Sequence, residues 1–309
     1  MTGSIERHHH IRRVPAVPLS LSSEERDAAQ RLVRLALAED LGTVGDITSA
    51  ALIPKNMQAT VNVVARAEGV LAGLPVAGLV FQELDAAVIW NARVVDGSRL
   101  ARGTVIASVV GPLRSLLAGE RTSLNFLMHL SGVATLTRKF VEAVAGTKAV
   151  ILDTRKTLPG WRRLEKYAVR AGGGTNHRMG LADGCLIKDN HLAAWCFANT
   201  GHSIAAAIAA ARCAVPAALP VEIEVDTVEQ LVDALVGKPD IVLLDNMDVA
   251  MLRESVSLRD RIAPGVLLEA SGGIRLANAA EIAAMGVDRI SVGAMTHSAP
   301  ALDLAFDWP

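Results

Sequence analysis

The chain has 309 residues, of which 51% are apolar, 20% charged and 3% aromatic. Lys and Arg number 31 against 32 Asp and Glu, a formal net charge of -1. So much apolar content excludes a globally disordered chain; balanced charge argues against a general nucleic-acid binder, whose footprint is a basic excess; the length fits two domains or one large α/β barrel with an added module.

Residues 1–20 carry Arg7, His8, His9, His10, Arg12 and Arg13 without an apolar core. They read as a flexible leader and not as a secretory signal. From Ser22 to Asp40 the apolar positions Ala29, Leu32, Val33, Leu35 and Ala36 recur at helical spacing. Ser22 with Glu25 has the pattern of a capping box, and Gly42 follows the expected end. Thr60–Gly69 partly alternates like a strand, and Val88–Val95 and Thr104–Val110 are two more β-rich runs. Asp96-Gly97 between them marks a turn, so this part reads as α+β with a partly antiparallel sheet. Leu116–Ala145 returns to helical periodicity, with Glu120, Arg121, Asn125 and His129 among its apolar positions.

A different rhythm then runs to the end of the chain. Short apolar runs end in polar residues or glycine, with helical stretches between them. They are Ala149–Asp153, Gly184–Ile187, Val221–Val225, Ile241–Leu244, Val266–Glu269 and Arg289–Val292. The last four recur every 20–25 residues or so, the spacing of strands alternating with helices in a parallel sheet. In a β/α barrel the C-terminal strand ends converge on the face that carries the active site. A single polar strand end means little, because chains exit there into solvent. Six in succession point to a site. Cys185, Cys196 and Cys213 are too few and too far apart for a disulfide framework or a zinc site, which suits a reduced, cytoplasmic protein. Leu192–Ala211, a long stretch without Asp, Glu, Lys or Arg, is broken by Asn199 to Ser203 and makes a poor membrane span.

Three constellations carry possible chemistry. The first is cationic: Arg155, Lys156, Arg162, Arg163, Lys166, Arg170, His177, Arg178 and Lys188, several of them flanking Gly172-Gly173-Gly174. In a near-neutral chain this local excess suggests a small polyanionic ligand, since Arg forks onto carboxylate or phosphate and Lys acts as a point charge. A solvated helix face is the expected reading for Arg163, Arg170 and Lys166. Arg155, Lys156 and Lys188 sit at strand ends instead. The second is anionic: Glu222 and Glu224 point the same way on one strand, and Asp245 ends the next. Glu224 with Asp245 suits a hard cation such as Mg²⁺, or stabilises positive charge in a transition state, or neutralises barrel lysines. The third is Ser271-Gly272-Gly273 followed by Gly293-Ala294, the loops after the last two strands, where barrels often bind phosphate through backbone N–H groups. Asp189-Asn190-His191 fits either acid–base machinery or a turn.

These residues fall in a longer series of ordered motifs. They are E-D-L-G from Glu39, G-D-I-T from Gly45, A-x-A-E-G-V-L-A-G ending at Gly73, and E-R-T-x-L-N from Glu120. H-L-S-G-V-A-T from His129, D-T-R-K-T-x-P-G-x-R from Asp153, G-G-G-x-x-H-R-x-G-L from Gly172 and K-D-N-H from Lys188 follow. The series closes with E-x-E-V-D from Glu222, L-L-D-N-M ending at Met247, E-A-S-G-G-I ending at Ile274 and I-S-V-G ending at Gly293. From about Leu35 onward the chain resembles the quinolinate phosphoribosyltransferase family (decarboxylating nicotinate-nucleotide pyrophosphorylases of NAD biosynthesis). Trp195–Ser203 is longer than the resemblance leads one to expect and reads as a surface variation.

The resemblance implies an α/β protein of the type II phosphoribosyltransferase fold. That means an N-terminal α/β sandwich over residues 21–130, an incomplete β/α barrel over 131–295, and a tail over 296–309 packing back toward the N-terminal domain. It implies that quinolinate and phosphoribosyl pyrophosphate give nicotinate mononucleotide, pyrophosphate and CO₂, with Mg²⁺ and no organic cofactor. It also implies a homodimer, with no nucleic-acid or membrane partner. Arg121 would reach in from the adjacent subunit and join Thr154, Arg155, Lys156, His177 and Arg178 around quinolinate. Lys156, Lys188, Glu224 and Asp245 would serve the phosphoribosyl pyrophosphate, the last two also holding Mg²⁺. Ser271, Gly272, Gly273, Val292, Gly293, Ala294 and His297 would cradle the 5′-phosphate. The rivals are a related barrel enzyme acting on nicotinate, a Schiff-base aldolase using Lys188, and a silent binding protein. Three arginines near the ring favour a dicarboxylate, and a silent site has no need of both charged sets.

Overall fold

The computed structural model describes residues 19–198 and 203–308. All of the expected leader except Leu19 and Ser20 lies outside them, as do residues 199–202 of the Trp195–Ser203 stretch.

The N-terminal elements are α1 (Ser23–Leu41), α2 (Ile47–Leu52), β1 (Gln58–Ala65), β2 (Gly69–Val70), α3 (Leu74–Leu84), β3 (Ile89–Ala92), β4 (Arg99–Leu100), β5 (Val105–Pro112) and α4 (Leu113–Ala143). The remainder runs β6 (Val150–Leu152), α5 (Arg162–Ala171), β7 (Cys185–Ile187), α6 (Asp189–Ala198), α7 (Ile204–Ala214), β8 (Val221–Val225), α8 (Val228–Gly237), β9 (Ile241–Asp245), α9 (Val249–Ile262), β10 (Leu267–Ser271), α10 (Leu276–Ala284), β11 (Arg289–Ser291), α11 (Ala294–His297) and β12 (Leu304–Asp307).

In the N-terminal part, an antiparallel sheet in the order β12-β1-β5-β3 packs on α3 and α4. Val61, Val63 and Ala65 alternate onto one face of β1, and Val63 stands opposite Ala107 on β5 and Phe306 on β12. That face meets Phe81, Leu116, Leu124 and Leu127, each fully buried or nearly so. Burying one such side chain contributes about 1.5–3 kcal/mol. The last strand of the chain therefore completes the first sheet. Helix α4 runs unbroken through residue 130, so the two parts share a helix instead of a linker.

Strands β6 to β11 form one parallel sheet in the order β6-β11-β10-β9-β8-β7. Near-continuous apolar strands such as Ile-Val-Leu-Leu on β9 fit burial on both faces. The edges β6 and β7 do not pair with each other. Thr175 makes one parallel bridge to Leu152, so the segment after the triple glycine acts as a one-residue strand in the gap. All six apolar runs expected as strands are strands. This is an incomplete β/α barrel beside an antiparallel sheet. No described helix is long and apolar enough to cross a membrane.

Helix α5 fastens the two parts together. The expected capping box at Ser22 and Glu25 forms, and the Glu25 carboxylate also takes Arg170 of α5 at 2.8 Å. Tyr167 of α5 donates its hydroxyl to Asp96, which accepts the backbone N–H groups of Gly73 and Leu74 at 2.9 and 3.1 Å. Asp96 is thus more than a turn residue. It is buried and caps α3, while β4 interrupts the direct hairpin expected around it. Burial pushes its carboxyl above the ordinary value, and these three donors oppose that rise.

Replacing Tyr167 with Phe should lower stability by about 1–3 kcal/mol in urea unfolding, the cost of a buried acceptor losing a donor. Unchanged stability would show that the Asp96 contact is dispensable. Glu25 is raised by burial but drawn net below its ordinary 4.5 by Arg170 and the Ser22 contacts. Its stabilisation is therefore complete above 4.5 and lost as pH falls through the lower folded value. Glu25→Gln should flatten the acid limb of a plot of Tm against pH.

Candidate active site

The C-terminal ends of β6 to β11 and the 175–178 segment meet around a cavity of about 270 Å³. Thr154, Arg155, Lys156, His177, Arg178, Lys188, Glu224, Asp245 and Ser271 all line it. The cavity brings together residues separated by more than a hundred positions because parallel strands deliver their ends to one face.

Each side chain is held by its local structure. After β6 the chain turns: Thr154 Oγ1 accepts the Lys156 N–H at 3.0 Å, and Arg162 donates to Thr157 Oγ1, the Arg155 carbonyl and the Met179 carbonyl. Arg162 thereby ties the Arg155 turn to the loop after Arg178. Asp153 is fully buried and forms an ion pair with Lys166, which is also fully buried. Asp153 accepts the His177 N–H at 2.9 Å and Lys166 donates to the His177 carbonyl at 3.0 Å. The solvated face expected for Lys166 is therefore wrong, because Asp153 lies beneath the helix and gives the ammonium a partner. Arg163 with Glu24, by contrast, is a surface pair, and Arg170 is half-buried against Glu25 and Asn176.

The His177 ring lies across the barrel interior. Its Nε2 is 3.1 Å from Glu222 and 3.5 Å from Glu269. Burial alone lowers its pKa, but the hydrogen bonds to the two carboxylates more than reverse this and raise it to about 9. The Arg178 amide N–H points at Nδ1 at 2.7 Å and opposes the second proton there. In either state Nε2 keeps a proton facing the carboxylates, and Nδ1 faces the Arg178 amide. Of the two glutamates on β8, Glu222 serves this layer and Glu224, one layer up, pairs with Lys188.

The rim carries the charge imbalance. Arg155, Lys156 and Arg178 have no ion-pair partner among the described residues, and the Arg178 guanidinium donates only to the Gly184 carbonyl at 3.0 Å. Asp245 takes the Asn246 side chain at 2.7 Å on one oxygen and lines the mouth. Gly272 and Gly273 have φ of +82° and +61°, and a Cβ on Gly272 would collide with Asn246, itself at φ +54°. Gly293 approaches the Lys156 side chain, where a Cβ would lie 3.0 Å from Cδ, and Thr296 donates to the Lys156 carbonyl at 2.6 Å. Gly272, Gly273, Gly293, Ala294 and His297 thus flank the mouth outside the cavity lining, and Val292 is buried.

Arg121 is not at this mouth. It is exposed on α4, beside a separate hollow with Leu35, Asp40, Asn125 and Trp161. Asp189 and His191 sit in the first turn of α6 and bond locally: His191 Nδ1 accepts the Lys188 N–H at 3.0 Å, and Asp189 accepts the Asn190 N–H at 2.7 Å. The expected set omits Glu269, Arg289 and the Asp153–Lys166 pair. A lone charge inside an apolar strand, as in Leu-Leu-Glu-Ala on β10, is the signal that marks Glu269.

The fold and this mouth define a β/α-barrel protein that receives small polyanions among strand-end cations and carboxylates. Residues 46–131 match the N-terminal domain, and residues 133–307 the C-terminal domain, of quinolinate phosphoribosyl transferase. The chain belongs to that family. It is 50% identical over 290 residues to the nicotinate-nucleotide pyrophosphorylase [carboxylating] of Mycobacterium leprae, covering 93% of this chain and 99% of that one. A probable nicotinate-nucleotide pyrophosphorylase [carboxylating] of Synechocystis is 41% identical over 269 residues, 87% of this chain and 88% of that one. The solved nicotinate-nucleotide pyrophosphorylase of Francisella tularensis superposes with a TM-score of 0.85 at 38% identity, covering 96% of this chain and all of that one.

Gly272→Ala should lower the Tm markedly, because both the backbone conformation and Asn246 oppose it. Gly293→Ala should leave the Tm near wild type, because its φ of -68° suits any residue and only the end of Lys156 must shift. Equal losses in the two variants would contradict this account of the loops.

Proposed function

We propose that this protein transfers the phosphoribosyl group of phosphoribosyl pyrophosphate to the ring nitrogen of quinolinate, releasing pyrophosphate and CO₂ and forming nicotinate mononucleotide in NAD biosynthesis. The observation that carries this reading is the set of unpaired cations, Arg155, Lys156 and Arg178, around one cavity that also presents Glu224 and Asp245. Both substrates are polyanions and repel each other. Fixed cations let them approach and convert a bimolecular encounter into an oriented one.

In this reading Arg155 and Arg178 grip the two carboxylates of quinolinate, Thr154 adds a polar contact, and His177 supports Arg178 from below. Lys156 and Lys188 face the phosphates of the second substrate. As pyrophosphate leaves, its electron pair goes with the departing oxygen and the sugar gains oxocarbenium character, which Glu224 and Asp245 stabilise. The pyridine nitrogen then bonds to the anomeric carbon. The resulting pyridinium draws the electron pair of the adjacent carbon–carboxylate bond as CO₂ departs, and that ring carbon takes a proton. No protein nucleophile is required. Ser271 to Gly273, Val292 to Ala294 and His297 surround the place for the 5′-phosphate. Asp245 and Glu224, which both line the mouth, suit Mg²⁺, which binds through one or two carboxylates plus substrate oxygens. When bound, that ion would neutralise pyrophosphate charge.

The working unit in this reading is a homodimer in the cytoplasm. Arg121 stands away from its own mouth, and Leu35, Val44, Ile47 and Leu52 of the same end are exposed apolar residues, which supports burial against a second copy.

Incubation with quinolinate labelled in the carboxylate beside the nitrogen should release labelled CO₂ and pyrophosphate in equal amounts. Turnover of nicotinate without CO₂ would contradict the substrate assignment. Arg155→Ala or Arg178→Ala should raise the quinolinate KM about tenfold or more, with the KM for phosphoribosyl pyrophosphate little changed. Separately inactive Arg121→Ala and Lys188→Ala proteins should regain activity when mixed and allowed to exchange subunits, since one hybrid site is then intact. No recovery in a sample shown to contain hybrids would contradict the shared site.

A further inference from the structure

Below the mouth the barrel interior holds a second layer of charge. Glu222 on β8, Glu269 on β10 and Arg289 on β11 all project into it, where barrel strands ordinarily place branched apolar side chains. Glu222 is 4% exposed and Glu269 fully buried. Arg289 Nε donates to Glu269 Oε2 at 2.7 Å. The two carboxylates converge on one group, the Nε2 proton of His177, at 3.1 and 3.5 Å. Glu222 Oε1 is buried without a hydrogen-bond partner and Glu269 Oε1 has only the 3.5 Å approach of His177 Nε2, so the layer accepts an energetic penalty to keep both acids there.

The ring they hold is a partition. His177 and Arg178 line the mouth and also a hollow of about 560 Å³ at the foot of the barrel. The backbone of His177 is fixed independently by Asp153 and Lys166. With its main chain clamped, the ring is free to turn only about its side-chain bonds. Glu222 and Glu269 stop that rotation at Nε2, and the Arg178 amide meets Nδ1 at 2.7 Å. A ring that turned would lose the amide contact and open the floor under Arg178.

We propose that Glu222, Glu269 and Arg289 are positioning residues for the dicarboxylate half of the reaction: they lock the His177 ring as the floor of the mouth and so set the direction of the Arg178 guanidinium. The inference rests on the function proposed above. Glu222 and Arg289 lie off the mouth, Glu269 borders its floor, and in this reading all three act through His177. His177, Glu222 and Glu269 have the donor types of a divalent-cation site. Arg289 already compensates Glu269, and the His177 Nε2 proton faces both carboxylates, so the charge of the layer is met without an ion.

Steady-state kinetics of Glu222→Gln, Glu269→Gln and the conservative Glu269→Asp test the proposal. Glu222→Gln leaves the Glu269–Arg289 pair intact and serves as the second variant if Glu269→Gln fails to fold. Each Gln variant should raise the quinolinate KM about tenfold or more, the scale expected when a binding group is misplaced. The KM for phosphoribosyl pyrophosphate should stay within about twofold of wild type. Glu269→Asp, which keeps the charge, should recover part of the loss. Two results would overturn the proposal: a quinolinate KM unchanged in folded Glu222→Gln protein, or both KM values rising together. So would stoichiometric Zn²⁺ or Mn²⁺ binding by calorimetry that is lost in Glu222→Gln, since the layer would then be a metal site. If the wild-type protein turns over no quinolinate, the reading of function fails; if it does and the variants match it, only this inference fails.

Discussion

A charge removed from water must find a partner, and the barrel interior is organised by that requirement. Lys166 has Asp153, His177 has Glu222 and Glu269, Arg289 has Glu269, and Lys188 has Glu224. Each pair is closed within the protein. At the rim the pairing stops: Arg155, Lys156 and Arg178 face the cavity without a carboxylate of their own among the described residues. An anion arriving at the mouth completes what the fold leaves open. Specificity for anions is thus a property of where compensation ends, not of total charge, which is -1 for the whole chain.

The topology makes that boundary possible. Parallel strands bring their C-terminal ends to one face, and the single bridge at Thr175 stands in for a longer strand between β6 and β7. That short segment is what frees His177 and Arg178 to turn into the barrel. Helix α5 then links the site to the rest of the molecule. Successive residues reach His129 through Glu165, Asp153 through Lys166 and Asp96 through Tyr167. A disturbance of the N-terminal part therefore has a short mechanical route to the His177 clamp.

Much of this was legible in the sequence because it follows from period and position. The six apolar runs of the barrel and their polar endings mark strands and a converging face, and nine of the expected site residues line one cavity. Residues whose role depends on a partner far along the chain were less legible. Lys166 has the helical spacing of a surface residue, and nothing near it in sequence announces Asp153 beneath. Asp96 reads as a turn because Asp-Gly so often is one, yet Tyr167 and the first turn of α3 claim its carboxylate. Glu269, a lone charge inside an apolar strand, and Arg289, at the start of the next, gain a shared role only when the register of β10 with β11 sets them side by side. Arg121 shows a different gap: its neighbourhood on α4 gives no local chemistry, and only its distance from the mouth and the apolar surface around it give it meaning.

The most direct test is a crystal structure of the protein with quinolinate and a non-reactive analogue of phosphoribosyl pyrophosphate bound together. The account predicts the ring carboxylates at ion-pair distance from Arg155 and Arg178, with phosphate oxygens on Lys156. Carboxylates seated on outer cations such as Arg163 or Arg212, with the barrel mouth taking neither ligand, would contradict it.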